Sequence, residues 1–280
     1  MRTVLEWMLA AMWLGIAGCA HEEARDLPLY EDLLFQEIQK DKPKREKKYW
    51  MDEFIDDETE EEGSRPAVPL VAHVVEDWAA FLAHVPSHSA GKPSKGSLEG
   101  GRELPKEAPG LVRKSDKAPF GTDEAVAILL WAGARMLELY PGTVPLVIGD
   151  LSKEGGGKVK PHRSHQSGRD VDIGFYYKRN RKVSHFADLA DAEVDWEKTW
   201  TYIDLLLSTN QVVYIFLDRS LHKALYDQAA ERGWKEAELK QLFEAPLGNQ
   251  KRGGLIRHQK GHKNHMHVRF ACAPDDQGCE

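Results

Sequence analysis

His162-Arg163-Ser164-His165-Gln166-Ser167-Gly168-Arg169-Asp170-Val171-Asp172 and, almost a hundred residues later, His258-Gln259-Lys260-Gly261-His262-Lys263-Asn264-His265-Met266-His267-Val268-Arg269-Phe270 decide how this 280-residue chain folds. Six of its twelve histidines fall in these two stretches. Asp170-Val171-Asp172-Ile173-Gly174-Phe175 alternates polar and apolar residues, the period of a half-buried strand. Asp170 and Asp172 then share one face, and Val171, Ile173 and Phe175 face a core. His265 to Phe270 repeats the pattern, with His265 and His267 on one side. Gly168 stands where a loop can turn back and bring His165 to Asp172. Two neighbouring antiparallel strands would present Asp172 and His267 to one metal ion, with His165 arriving from the loop. Three N/O ligands, no sulfur to close the fourth position, and spare histidines for proton transfer are what a catalytic zinc site requires.

The run Ser-His-Gln-Ser-Gly-Arg-Asp-Val-Asp-Ile from Ser164, followed by His-x-x-His-Met-His-Val-Arg from His262, resembles the penicillin-insensitive murein endopeptidases. These are wall-cutting zinc peptidases related to D-Ala-D-Ala carboxypeptidases and lysostaphin-type enzymes. The likeness takes in Leu146-Val147-Ile148-Gly149-Asp150-Leu151-Ser152 and extends from about Ser87 to Glu280. It implies His165, Asp172 and His267 as zinc ligands and His265 as the acid/base residue beside the metal. His162 and His262 match two further histidines that line the family's active site.

The expected chemistry follows from that ligand set. Zinc lowers the pKa of a bound water to about 7, from roughly 15.7 in bulk, and polarises a peptide carbonyl. His265 would take the water's proton and return it to the leaving amine. His262 or His162 would hydrogen-bond the developing oxyanion. Asp170 suits a partner for a histidine N–H. No His-Glu-x-x-His stretch is present, which excludes a helical zincin with a glutamate base. Nor is there a Gly-x-Ser-x-Gly elbow, so beta-lactams, which trap an active serine, are not expected to inhibit. His73, His84, His88, His185 and His222 lie outside the clusters and read as core or surface residues.

Leu146 to Ile148 reads as a short buried strand. Thr122 is an N-cap for a helix from Ala125 to about Tyr140, stopped by Pro141-Gly142. Trp196 to Ser208 and Ser220 to Arg232 read as helices, the latter capped by Gly233, and Val212 to Leu217 as a strand. Ser87 to Lys117, rich in Gly, Pro, Ser and Lys, reads as irregular chain. Strands and helices mix without a regular β-α-β repeat, which predicts an α+β domain with a small antiparallel sheet carrying the zinc site, flanked by helices.

The N-terminus points outside the cytoplasm. Arg2 precedes a mainly apolar run from Val4 to Gly18, shorter than the roughly 20 residues of a bilayer span but suited to a signal peptide. Ile16-Ala17-Gly18-Cys19 resembles a bacterial lipobox, which implies cleavage before Cys19 and its lipidation; the alternative is ordinary cleavage near Ala20. Because Ala20 follows rather than aspartate, the expected location is the periplasm, anchored to the outer membrane. With Cys19 as anchor, Cys272 and Cys279 remain as an even pair, either bridged or as two free thiols. The expected organisation is a lipoprotein signal over 1–18, a charged flexible tether over 19–65 that ends in the acidic run Asp56 to Glu62, a bridging segment over 66–86, and the peptidase domain over 87–280. A net charge of -7 argues against a nucleic-acid partner. The local basic residues Arg163, Arg169, Lys178 and Arg179 are candidates for attracting the carboxylates of wall stem peptides.

The function expected is zinc-dependent hydrolysis of D-Ala–diaminopimelate, or diaminopimelate–diaminopimelate, cross-links in peptidoglycan. The alternatives are a D,D- or L,D-carboxypeptidase acting on single stems, a non-catalytic zinc-containing wall-binding module, and a periplasmic metal carrier.

Overall fold

The computed structural model describes residues 86–187, 193–244 and 254–280. The expected signal peptide, Cys19, the acidic tether and all of the bridging segment but residue 86 lie outside these residues.

Strands β7 (Leu146–Ile148), β8 (Asp170–Ile173), β9 (Val212–Leu217) and β11 (Met266–Phe270) form the middle of a seven-stranded sheet. Its order is β10-β9-β11-β8-β7-β5-β4, with β4 (Glu107–Ala108) and β5 (Leu111–Arg113) at one edge and β10 (Ile256–His258) at the other. The centre is antiparallel, from β9 through β11 and β8 to β7. Both flanks are parallel pairs, β10 with β9 and β5 with β7. The domain is therefore α+β, but its sheet is mixed and wider than the small antiparallel one expected from sequence. Ser87 to Lys117 is also more ordered than expected. It holds a hairpin of β1 (His88–Lys92) and β2 (Lys95–Glu99), strands β4 and β5, and β3 (Arg102–Glu103), which pairs with β6 (Phe120–Gly121).

Period-two alternation gives the sheet two chemically distinct faces. Val171 and Ile173 of β8, Met266 and Val268 of β11, and Ile215 and Leu217 of β9 are buried in the hydrophobic core. The opposite face carries Asp170, Asp172, His267 and Arg269, with Tyr214 and Phe216 alongside. The helices supply the rest of the core. Helix α1 (Asp123–Leu139) starts where the Thr122 hydroxyl accepts from the Ala125 N–H at 3.3 Å, and Asp123 and Glu124 complement its positive end. Helices α2 (Trp196–Ser208) and α3 (Arg219–Glu231) are capped by Asp195 and Asp218. The short α4 (Glu236–Leu242) follows, burying Leu239 and Leu242.

Two devices hold the ends of this domain. Cys272 and Cys279 are joined by a disulfide, and the loop it closes lies on β1, with the Gly91 N–H donating to Gly278 O at 2.8 Å. Gly110 and Gly133 let the β4–β5 turn sit directly on α1. A Cβ at Gly110 would lie 2.0 Å from the Gly133 carbonyl oxygen, and Gly110 has a φ of +72°. Gly110→Ala adds a backbone clash to left-handed strain. We expect it to cost at least about 2 kcal/mol and to lower Tm by roughly 4–8 °C, measured by calorimetry.

Candidate active site

The site is built on one cross-strand pair. The antiparallel register of β8 and β11 sets His267 directly opposite Asp172. Such partners bring their Cβ atoms to about 4.5–5.5 Å, within reach of one shared ion. His165 joins them from the loop before β8. That loop turns through left-handed residues, His165 at φ 64° and Gly168 at φ 80°. The His165 backbone N–H donates to Asp170 Oδ2 at 3.0 Å, and its Nδ1–H donates to Leu151 O at 2.8 Å. A carbonyl can only accept, so the proton sits on Nδ1 and the Nε2 lone pair is left for the site.

His165 Nε2, His267 Nδ1 and Asp172 Oδ1 form a triangle. The sides are 3.1 Å between the two imidazoles, 3.3 Å from His165 to Asp172 and 3.1 Å from His267 to Asp172. All three residues are buried, at 1%, 5% and 2% exposure for His165, His267 and Asp172. Three electron-rich atoms at this spacing, away from water, need a shared proton or a cation. A tetrahedral ion with N/O ligands at about 2.0–2.1 Å needs donor atoms about 3.3 Å apart. The triangle fits such an ion without rearrangement.

Asp170 supports the triangle from behind. Its Oδ1 lies 3.2 Å from His267 Nε2, and Arg269 donates to its two oxygens at 2.8 and 3.3 Å. Burial works against the charged forms of Asp170 and Asp172, but their partners outweigh it. His267 and Arg269 hold Asp170, and His165 and His267 hold Asp172, well below the usual carboxylate range. Burial likewise opposes a proton on His267, yet Asp170 and Asp172 raise it to about 9.

Three more histidines surround the triangle. His265 precedes β11, with Nε2 3.8 Å from Asp172 Oδ1 and Nδ1 2.8 Å from Asn264 Oδ1. Burial pushes it down to about 4, so the ring is neutral near pH 7. His262 bonds through Nδ1 to Gln259 O at 3.3 Å and is also pushed down by burial. Its loop is tied to the start of α3 by the Asp218 N–H, which donates to His262 O at 2.9 Å. His162 Nε2 lies 3.0 Å from Asp150 Oδ2, and its Nδ1 lies 3.7 Å from Asp172 Oδ2. His162, His165 and Asp172 can bring donor atoms within 4.8 Å of one another, and so can Asp172, His262 and His265. The five histidines expected in the site, His162, His165, His262, His265 and His267, therefore converge on Asp172.

Other residues of the site carried little sequence signal. Asp150 receives His162, which lowers its pKa, and also contacts Lys117 at 3.5 Å and Ser115 at 3.2 Å. It lies inside the segment Leu146 to Ser152, but no metal spacing marks it. Asn264 could be suspected only as the neighbour of His265. Phe186, stacked on His265 at 4.7 Å, sits in a polar loop with no periodicity around it.

The basic residues divide differently from the expectation. Arg169 is buried, donating to Ser89 Oγ at 3.2 Å, Phe270 O at 3.3 Å and Glu280 O at 2.5 Å. This corrects its reading as a substrate contact, since its donors are spent inside the domain, on β1 and the C-terminal chain. Lys178 and Arg179 are exposed on a 3-10 turn, where Asn180 bonds Gly142 O and the Val144 N–H. That is the loop entering β7, whereas Asp150 lies beyond its exit. Arg163 is exposed next to His162.

Fold and site together define an α+β protein with a candidate metal centre on one face of its sheet. Residues 89–280 match the family model of penicillin-insensitive murein endopeptidase, and the chain belongs to that family. It is similar to proteins named penicillin-insensitive murein endopeptidase from Escherichia coli O157:H7, Escherichia coli strain K12 / DH10B and Shigella boydii serotype 18. Each is 26% identical over 222 residues, covering 72% of this chain and 74% of the relative.

Uptake of an ion by the triangle would be a proton exchange. At pH 7, below the value of about 9 for His267, the metal-free ring carries a proton that an ion must displace. Metal binding at pH 7 is expected to release it, and affinity is expected to rise with pH until about 9. Titration calorimetry in two buffers of different ionisation enthalpy measures the release; identical heats would count against it.

Proposed function

We propose that the protein is a zinc-dependent murein endopeptidase that hydrolyses D-Ala–diaminopimelate cross-links between peptidoglycan stems, with diaminopimelate–diaminopimelate links as the second candidate bond. The observation that carries this reading is the buried triangle of His165 Nε2, His267 Nδ1 and Asp172 Oδ1, with His265 Nε2 3.8 Å from Asp172 Oδ1. His165, His267 and Asp172 would hold zinc, which supplies Lewis acidity toward the scissile carbonyl and toward water.

The chain's own residues handle the protons. Asn264 Oδ1 accepts the Nδ1–H of His265, so the Nε2 lone pair faces the site. Because His265 is neutral near pH 7, Nε2 takes the proton of the attacking water and delivers it to the leaving amine. His262 gives its Nδ1–H to Gln259, which leaves Nε2 unprotonated. It must gain a proton before it can donate to an oxyanion. Asp150 orients His162 from the other side. Arg163 is the nearest of the exposed basic candidates to this cluster in sequence, and Lys178 and Arg179 would act only as longer-range attraction for stem carboxylates.

The same reading sets the chain in the periplasm. The segment 1–18 is a lipoprotein signal, Cys19 a lipid anchor to the outer membrane, 19–65 a tether, 66–86 a bridge, and 87–280 the catalytic domain. Cys19→Ser is expected to move the protein from the membrane fraction to the soluble periplasmic fraction; unchanged membrane association would remove the anchor from the reading.

Purified cross-linked muropeptide dimer, followed by mass detection, tests the activity. Wild type is expected to convert dimer to two monomers, and chelator to stop it. His265→Ala is expected to slow the reaction by about 10²–10⁴-fold. Release of a terminal D-alanine with the cross-link intact would instead indicate a carboxypeptidase. Intact dimer with stoichiometric bound zinc would indicate a wall-binding module.

A further inference from the structure

We propose that Phe186 is a positioning residue that holds the His265 imidazole in its working orientation by stacking on it. The inference rests on the reading of His265 as the proton-handling residue. The two rings lie 4.7 Å apart between centroids and only 10° from parallel. Asn264 bonds His265 at Nδ1 at 2.8 Å, and the His262 ring leans on it at 4.9 Å between centroids and 49° between planes. An edge hydrogen bond and an inclined neighbouring ring do not lie flat on the imidazole and leave it able to tilt. A flat ring against its face removes the tilt and keeps Nε2 aimed at Asp172 Oδ1.

Phe186 has a floor made for it. A Cβ at Gly149 would fall 2.6 Å from Phe186 Cζ and 3.0 Å from Asp172 Cβ, and one at Gly174 would fall 3.4 Å from Phe186 Cδ1. These glycines follow β7 and β8 directly. Their backbones are fixed by the Gly149 N–H donating to Asp172 O at 2.7 Å and the Gly174 N–H donating to Val147 O at 2.8 Å. The ring therefore rests on backbone at the ends of β7 and β8, beside Asp172. Lys114 Nζ lies 4.1 Å from the Phe186 centroid, a cation–π contact that further restrains the ring. Phe186 is only half-buried and lies outside the hydrophobic core, so replacing it opens no internal cavity.

The test compares Phe186→Leu, Phe186→Tyr, His265→Ala and Phe186→Leu/His265→Ala with wild type on the cross-linked dimer. Metal content and the His265 ring-proton chemical shifts are read in parallel. Leucine keeps apolar bulk but loses the plane. Phe186→Leu is expected to lower kcat by about 10- to 100-fold, the cost of a small misplacement, with KM and metal content unchanged. The upfield ring-current shift of His265 is expected to vanish with it. Phe186→Tyr is expected to restore both. In the His265→Ala background, Phe186→Leu is expected to have no further effect. Wild-type kcat in Phe186→Leu, an equal loss in the His265→Ala background, or an unshifted His265 resonance would overturn the proposal. If His265→Ala itself retains wild-type rate, the proton-handling reading fails and takes this one with it. If His265→Ala is inactive while Phe186→Leu is fully active, only the positioning role falls.

Discussion

The cross-strand pairing of Asp172 with His267 is the constraint on which the rest of the molecule turns. Side chains on a strand alternate between faces, so a slip of one residue between β8 and β11 would send one of the two into the core. The apolar residues prevent that slip. Val171 and Ile173 of β8 and Met266 and Val268 of β11 are all buried on the opposite face, and the pair on whichever strand slipped would have to move to a polar environment. The energy that holds the donor geometry thus comes from hydrophobic burial on the far side of the sheet. The polar residues themselves need only be tolerated there.

Tolerating them takes a connected set of charges. Two buried aspartates two residues apart would repel each other and suffer from lost hydration. Arg269 and His267 offset the charge of Asp170, while His165 and His267 offset that of Asp172. The His165 backbone N–H on Asp170 links the loop to the same network. Arg169, the residue before Asp170, ties the C-terminal segment down at Phe270 and Glu280. Two arginines of one short stretch thereby serve different ends: Arg163 stays in solvent and Arg169 is internal.

Much of this was legible in the sequence because the strongest signals are local. The Asp-Val-Asp-Ile and His-Met-His-Val alternations predict two strands with their polar residues on one face. Thr122 with the apolar period after it predicts α1, and the helix at Trp196 and the strand at Val212 are as clear. What escaped depends on contacts between distant segments. β3 and β6 have two residues each and pair across an intervening stretch, and β5 joins β7 in parallel, so neither leaves a pattern in its own sequence. β10 is likewise three residues recruited by β9. Arg169 looks like a solvated charge until the carbonyls of Phe270 and Glu280 arrive from the far end of the chain. Asp150 and Phe186 acquire meaning only from His162 and His265, which the fold carries to them.

The position of β11 in the sheet has a consequence for assembly. It is the last strand in the chain but lies between β9 and β8, which are separated by α2. It therefore enters a slot flanked on both sides and closes long loops to both β8 and β9 as it does so. Until Phe270 has been delivered, β8 and β9 have no common neighbour and Asp172 and His165 lack their third donor. A chain truncated before Met266 would therefore keep His165 and Asp172 but lose the cross-strand partner that completes the triangle, so the site's geometry is the last thing the domain's own sequence supplies.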